Sequence, residues 1–330
     1  MSSEALAPRR VAAGLNGRAL LAWARDYGIV VALLALCAFF AIATDTFLTE
    51  RNLINLAQQS AEPGLLAAGM TLVIIAGEFD LSVGAILGFA AVVAAYIANE
   101  AGLALAVAVA VAVGAGLGAI NGTIVTRLRI QSFLATLATQ FVIVGVAIYL
   151  TDSTNSFRVN DFLGFQKFAN TELLGIQSKA WIALAGFVAI WAVLRATRYG
   201  RQVYAVGGNE AAARVAGVRV RLIKASVFVV SGLMAGLAGA IAVSDTGVAQ
   251  ADGGLGAEFT AIAAVIIGGT SISGGRGGVW RTLAGVLLLA VVANGLTLLH
   301  ISPTYDQLLQ GGIILTAILL DALLKRKASR

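Results

Sequence analysis

The sequence predicts an all-α integral membrane protein of about ten transmembrane helices with both termini in the cytoplasm, and three observations predict it. The 330 residues are 59% hydrophobic and 12% charged, with a mean hydropathy of +0.89; soluble domains carry roughly 25% charged residues. Apolar runs of about 20 residues recur along the chain, each long enough to cross a hydrocarbon core of about 30 Å. The runs show no strand-type alternation, which excludes a β-barrel. They are rich in Ala, Gly, Leu and Val, and small residues let helix backbones approach closely in lipid.

The first predicted span is Tyr27–Ala43. Gly28–Phe40 followed by Ala41-Ile42-Ala43 resembles a signal peptide with its cleavage site. The preceding 27 residues are long for a signal's basic region and many spans follow, so a retained first span is expected. The second span runs from about Leu53 to Ala76 and contains Glu62-Pro63. Proline suits the first turn of a helix and disfavours helix in the residue before it, so a broken helix is expected, with Glu62 outside it. Leu81–Ala98, Leu103–Val125 and Gln131–Leu150 follow, then a polar loop, Thr151–Lys179. Ala180–Leu194 is the sixth span and Arg195–Lys224 a basic loop. Ala225–Val243 is the seventh, and Ala257–Gly269 is either a tilted crossing or half of a broken helix. Val279–Leu299 and Tyr305–Leu324 complete the set.

Orientation follows from Lys and Arg, which accumulate on the cytoplasmic side. Arg9, Arg10, Arg18 and Arg25 precede the first span, and Lys325, Arg326, Lys327 and Arg330 follow the last. Ten spans then place Arg127, Arg129 and the basic residues of 195–224 inside and the 151–179 loop in the periplasm; nine or eleven do not. The predicted organisation is a cytoplasmic segment over 1–26, a membrane domain over 27–324 with a coupling loop at 195–224, and a basic tail over 325–330. The net charge of +6 is thus a topology signal, not a nucleic-acid signal. One Cys (Cys37) and one His (His300) leave no disulfide within the chain and no His/Cys metal site. Cys37 is expected to pack, and His300 and Asp306 to lie at span ends.

Polar residues at membrane depth are the candidates for function. Glu78 and Asp80 stand in GEFDLSVG between two apolar runs. Asp80, with Ser82, could cap the third span through its free N–H groups or line a pathway. Gln58, Gln59, Ser60 and Glu62 form a second cluster, in a pathway or an interfacial loop. Thr136, Thr139 and Gln140 share a helix face, which suits interhelical bonds or a pathway. In the basic loop, Asn209 and Glu210 suit the start of a short helix over Ala211–Ala216, and Gly217 its end. Its small apolar face, with Ala212, Val215 and Ala216, suits docking to a partner; an ordinary basic loop is the plain alternative. A weak internal echo pairs IIAGEFDLSVG (74–84) with IIGGTSISGG (266–275), and Asn-Gly recurs at 121–122 and 294–295; transporters often carry such repeats. No G-x-x-x-x-G-K-[ST] loop occurs, so the chain does not hydrolyse ATP by that route. No zinc motif or catalytic triad occurs either, which argues against an enzyme.

Several long stretches occur in an order that resembles one family. They are AAGMTLVIIAGEFDLSVGA, LATLATQFVIVGVAIYLT, GRQVYAVGGNEAAARVAGV, FTAIAAVIIGGTSISGGRGGVWRTLAGVLL and NGLTLL, spread from Asn52 to Asp321. They resemble the permease subunits of bacterial ABC importers for ribose, xylose, arabinose and similar sugars. The resemblance implies a pore-forming subunit in the inner membrane, paired with a second copy or a paralogue. It implies a cytosolic ATPase partner carrying ATP and Mg, a soluble substrate-binding protein outside, and no cofactor in this chain. It also implies a coupling helix docked on the ATPase, which falls at Gly207, Gly208, Asn209, Glu210, Ala211, Ala212, Ala213, Arg214, Val215, Ala216 and Gly217. Glu78 departs from the family's usual Gly-Gly-Ile-Asp-Leu-Ser, and Ile130-Gln131 stands where Pro-Pro is frequent. Glu78 is therefore a candidate for a contact particular to this chain, with sugar hydroxyls or with the ATPase. Two alternatives stay open: a branched-chain amino-acid-type permease, against which the GGN loop argues, and an ion-coupled transporter using Glu62, Glu78 and Asp80.

Overall fold

The computed structural model describes residues 12–301, with side chains from Gly28 onward, and the isolated positions 305, 308, 311, 312 and 315 beyond. Helix α1 (Ala12–Ala43) is continuous, so the predicted first span is its second half. The predicted second span is two helices, α2 (Glu50–Gln59) and α3 (Ala61–Ile75). They meet at Ser60, whose hydroxyl donates to the Leu56 carbonyl (2.7 Å). Pro63 lies in the first turn of α3, where a missing N–H removes no helical bond. Glu62 is consequently helical, against expectation.

Helices α4 (Val83–Ala101), α5 (Leu103–Leu128) and α6 (Ser132–Leu150) follow the predicted spans closely. The 151–179 segment is more ordered than a loop. It carries β1 (Ser156–Arg158), α7 (Phe162–Asn170), β2 (Glu172–Leu173) and β3 (Ile176–Gln177). After α8 (Ser178–Ala196) the expected basic loop is mostly helix, forming α9 (Arg198–Gly208) and α10 (Glu210–Val215). Next come α11 (Val220–Thr246), β4 (Val248–Gln250), α12 (Ala257–Ile267) and α13 (Val279–Leu298). Strand β4 pairs antiparallel with β1, Phe157 opposite Ala249. The predicted last span, Asp306, Arg9, Arg10 and the basic tail lie outside the described residues or at their isolated positions, whereas Arg18 and Arg25 lie on α1.

Among the described residues, six helices are long and apolar enough to cross a membrane: α4, α5, α6, α8, α11 and α13. Three apolar segments are shorter, Gly28–Ala43 of α1, α3 and α12. With 11 residues, α12 reaches only about 16 Å at 1.5 Å per residue. That is half of a hydrocarbon core, so the α12 helix does not span one by itself.

Helix α3 is apolar on all sides, and its side chains from Leu65 to Ile75 are almost wholly buried. It is packed by α8, α11, α12 and α13, and Thr71 bonds Thr282 of α13 across the contact (2.9 Å). Helices α5 and α11 meet along a seam of small residues. A Cβ at Gly114, Gly118 or Gly122 would overlap the backbone of Gly232, Phe228 or Ala225. In lipid, such close approach replaces the hydrophobic effect as the source of helix association. Helix α2 is tied to α13 by a reciprocal amide pair. Asn52 Nδ2 donates to Asn294 Oδ1 (3.0 Å), and Asn294 Nδ2 donates back to Asn52 Oδ1 (2.9 Å).

The first half of the internal echo has a structural counterpart. Helix α3 ends with Gly77 N–H bonded to Ile74 O and Glu78 N–H to Val73 O; α12 ends with Gly269 N–H bonded to Ile266 O and Thr270 N–H to Val265 O. These are the same Schellman closure, and both Gly77 (φ 83°) and Gly269 (φ 84°) occupy the left-handed region that it demands. The Asn-Gly echo is not in the same register: Asn121 lies on α5, whereas Asn294 lies on α13, the counterpart of α4.

Candidate functional site

The basic end of the molecule is built on α9 and α10. Thr197 caps α9, accepting from Gly200 N–H (3.0 Å). The helix buries Val203 and Val206, while Tyr199 bonds Ser226 of α11 (2.8 Å) and Tyr204 donates to Gly277 O (3.0 Å). The last turn of α9 is pressed into the fold. A Cβ on Gly207 would overlap Ile75 O at the end of α3 and approach Gly275 N. Gly275 N–H in turn donates to Ile75 O (2.9 Å). The ends of α3 and α9 and the turn before α13 thus share one junction, in which backbone touches backbone without intervening side chains.

From this junction α10 projects. Asn209 Oδ1 accepts from Ala212 N–H (2.9 Å), and Gly217 (φ 81°) closes the far end. Val215 is 91% exposed, and Ala212 and Ala216 are exposed beside it. Glu210 bonds Arg214 one turn on (2.6 Å) and Lys224 of α11 (2.8 Å). These cations hold the Glu210 carboxyl below the usual glutamate range, the hydrogen bond from Lys224 foremost. Lys224 also pairs with Glu78 (2.7 Å). Glu78 therefore stands beside α10 at the basic end, buried, with a cation as its partner.

The break between α3 and α4 is satisfied by side chains of α6. Phe79 N–H donates to Ser132 Oγ (3.1 Å) and Leu81 N–H to Thr136 Oγ1 (3.0 Å). Irregular backbone at membrane depth survives only with such partners. Asp80 does not reach into the first turn of α4. Its Oδ1 accepts from Ser82 N–H (3.1 Å) and Ser82 Oγ (2.6 Å), closing a local turn before the helix. Ser82 Oγ accepts from Asn121 Nδ2 (2.7 Å).

The end opposite the basic one holds a second set. A cavity of about 320 Å³ is lined by Glu62, Leu66, Leu87, Gln250 and Gly253, among others. Beyond β4 the chain runs without helix into the fold. A Cβ on Gly84 or Gly88 of α4 would strike Gly254 O or Ala251 O of that stretch. Lys179 and Asp245 pair nearby (2.7 Å). A separate pocket of about 150 Å³ is lined by Gln59, Ser60 and Pro63 against α12 and α13. Gln58 is half-buried on α2. Gln140 Nε2 donates to Glu258 of α12 (3.1 Å), whose other oxygen accepts from Gly256 N–H (3.0 Å). Thr139 donates to Thr136 O (3.0 Å). The residues singled out from the sequence are therefore not one cluster: Glu62 and Glu78 lie toward opposite ends of α3. Sequence reading missed Ser132, Asn121, Lys224 and Glu258. Ser132 was findable, because with Thr136 and Gln140 it makes a polar stripe at spacings of four on an apolar helix.

A multi-pass membrane protein with two short apolar helices, α3 and α12, irregular backbone lining a cavity and a small exposed helix at its basic end has the form of a transport permease. A family model described as "Branched-chain amino acid transport system / permease component" matches residues 52–318, and the chain belongs to that permease family. Among curated relatives, the ribose import permease protein RbsC of Escherichia coli (strain K12) is 41% identical over 305 residues, 91% of this chain and 94% of that protein. RbsC of Bacillus subtilis (strain 168) is 42% identical over 295 residues, 89% and 92% of the two chains. The galactose/methyl galactoside import permease protein MglC of Salmonella typhimurium is 33% identical over 327 residues, 94% and 97%. No solved structure gives a significant match.

Proposed function

We propose that the chain is the membrane-spanning subunit of an ABC importer that carries a monosaccharide or related polyol across the bacterial inner membrane. Relatives named for ribose, galactose and arabinose import, at 33–42% identity over most of the chain, favour a sugar over a branched-chain amino acid. ATP hydrolysis belongs to a partner ATPase that binds ATP and Mg, and a soluble binding protein delivers the sugar from outside. A second permease copy or a paralogue completes the pore. In this reading the membrane domain over 27–324 crosses ten times, with both termini and the basic end in the cytoplasm.

The observation that carries the mechanism is the mounting of α10. A six-residue helix with an exposed apolar face is fixed through Gly207 to the end of α3 and through Lys224 to Glu78. An ATPase that seats on Val215 and pushes α10 would move the ends of α3 and of the α12–α13 turn together. Closure of the ATPases on ATP then switches the pathway between outward and inward access. Glu62, Thr246 and Gln250 offer the sugar a few polar contacts in a mainly apolar cavity, as weak binding in transit requires. Glu78 acts in coupling and not on the sugar.

Uptake of labelled ribose in cells expressing the full transporter tests this. Uptake should survive a protonophore while ATP is maintained, and should be lost when 209–216 are replaced by a Gly-Ser linker with membrane insertion unchanged. Uptake abolished by the protonophore at constant ATP would instead establish an ion-coupled carrier, and normal uptake with the linker would remove the coupling assignment.

A further inference from the structure

Two clefts open side by side at the basic end, and their charge differs. One, about 600 Å³, is lined by Glu78 and Glu210 together with Arg129, Arg214, Arg221 and Lys224, so two carboxylates offset half of its four cations. The other, about 580 Å³, lies between the last turn of α5 and the first turn of α11 and has no carboxylate in its lining. Arg127, Arg214, Arg219 and Arg221 line it, with Thr123 on its wall. Arg214 is paired with Glu210. The other three are exposed and make no hydrogen bond or ion pair among the described residues. Leu222 on the cleft wall is 62% exposed, and Leu128 beside Arg127 is 66% exposed. Both helices are membrane-length and apolar away from these ends, so the arginines stand at the depth of lipid headgroups.

We propose that this cleft binds the phosphate of an anionic phospholipid, with Arg127, Arg219 and Arg221 around the headgroup and the acyl chains lying along Leu128 and Leu222. A guanidinium presents a planar fork of donors that fits phosphate oxygens, and three unpaired forks around one carboxylate-free cleft form a site for that group. The volume lies within the range of small-ligand pockets. Positive-inside topology accounts for cations at this level, but not for three unpaired ones gathering around a cleft without a carboxylate while the adjacent cleft holds two. The apolar side chains in its lining, Val220, Leu222 and Ala225, favour a lipid over a soluble phosphate or the acidic surface of a protein.

The test is native mass spectrometry of the purified full-length protein in mild detergent, titrated with phosphatidylglycerol or with phosphatidylcholine. One retained phosphatidylglycerol per chain is expected, with phosphatidylcholine not retained. The triple variant R127Q/R219Q/R221Q should bind on the order of a hundredfold more weakly, three cations contributing about fivefold each. R195Q/R198Q/R201Q removes equal charge at the same end and should leave binding unchanged. The single variant R127Q, which removes one exposed side chain, covers the case in which the triple variant unfolds and should weaken binding about fivefold. Equal loss in both triple variants would mean diffuse attraction and overturn the site. Undiminished binding in the arginine variants would do the same. Glycerol phosphate that competes as well as the lipid would make the ligand a soluble phosphate. Arginine variants that keep the lipid but lose a co-purifying ATPase would assign these residues to the protein partner instead.

Discussion

Lys224 holds two carboxylates brought from distant parts of the chain, and they depend on it unequally. Glu210 is 42% exposed and has Arg214 as a second partner. Glu78 is about 10% exposed, and Lys224 is its only ion-pair partner among the described residues. Removing one partner of a buried pair leaves an uncompensated charge, which costs about 3 kcal/mol or more. Lys224→Ala should therefore lower the melting temperature of the purified protein markedly, and Lys224→Ala/Glu78→Gln should regain most of the loss. Glu78→Gly should be tolerated, because Lys224 keeps Glu210. A double variant no better than Lys224→Ala would show that Glu78 is not the group left stranded. At this scale the sequence is half legible. Glu78 stands out as a carboxylate among apolar residues, but its partner is set by where α11 begins relative to α3, which no local pattern encodes.

The elements were legible where length and polarity agree, and less so where a short helix is hidden inside a longer trend. Helices α4, α5, α6, α8 and α13 follow apolar runs bounded by polar residues. The break in the second span is legible from Glu62-Pro63 but falls just ahead of it, at Ser60, because Glu62 and Pro63 occupy the first turn of α3. Helix α9 reads as part of a basic loop because its arginines dominate. Its signal was Thr197 as a cap and Tyr199, Val203 and Val206 at helical spacing. The shared ends of α3 and α12 were readable as an echo, but not the contact that joins them to α9. That contact makes a sharp forecast about two adjacent glycines. Gly207 has no room for a methyl group, whereas the nearest atom to a Cβ on Gly208 is 3.9 Å away. Overpacking a tight contact costs about 1–3 kcal/mol. Gly207→Ala should reduce both thermal stability and sugar uptake, and Gly208→Ala should leave both near wild type. If the two variants behave alike, the junction does not constrain the end of α9.

Across the whole molecule, sidedness rests on α8. It joins α7 to α9, and its 19 residues reach about 28 Å, the thickness of a hydrocarbon core. Helices α7 and α10 must then lie on opposite sides of the membrane, whatever the count of crossings elsewhere. By the positive-inside rule the arginines of α9–α11 predict that the α10 side faces the cytoplasm. Leu163 of α7 is 76% exposed and Val215 of α10 is 91% exposed, so a cysteine at either position would be accessible from its own side. Cys37 is half-buried in α1 and can be replaced by Ala to remove background. In right-side-out spheroplasts containing the full chain without its partners, a membrane-impermeant maleimide should label Leu163→Cys at once. It should label Val215→Cys only after permeabilisation. Labelling of both from outside would mean that α8 does not span. Labelling of Val215→Cys alone would invert the molecule, putting its docking helix where no cytosolic ATPase could reach it and removing the importer mechanism built on α10.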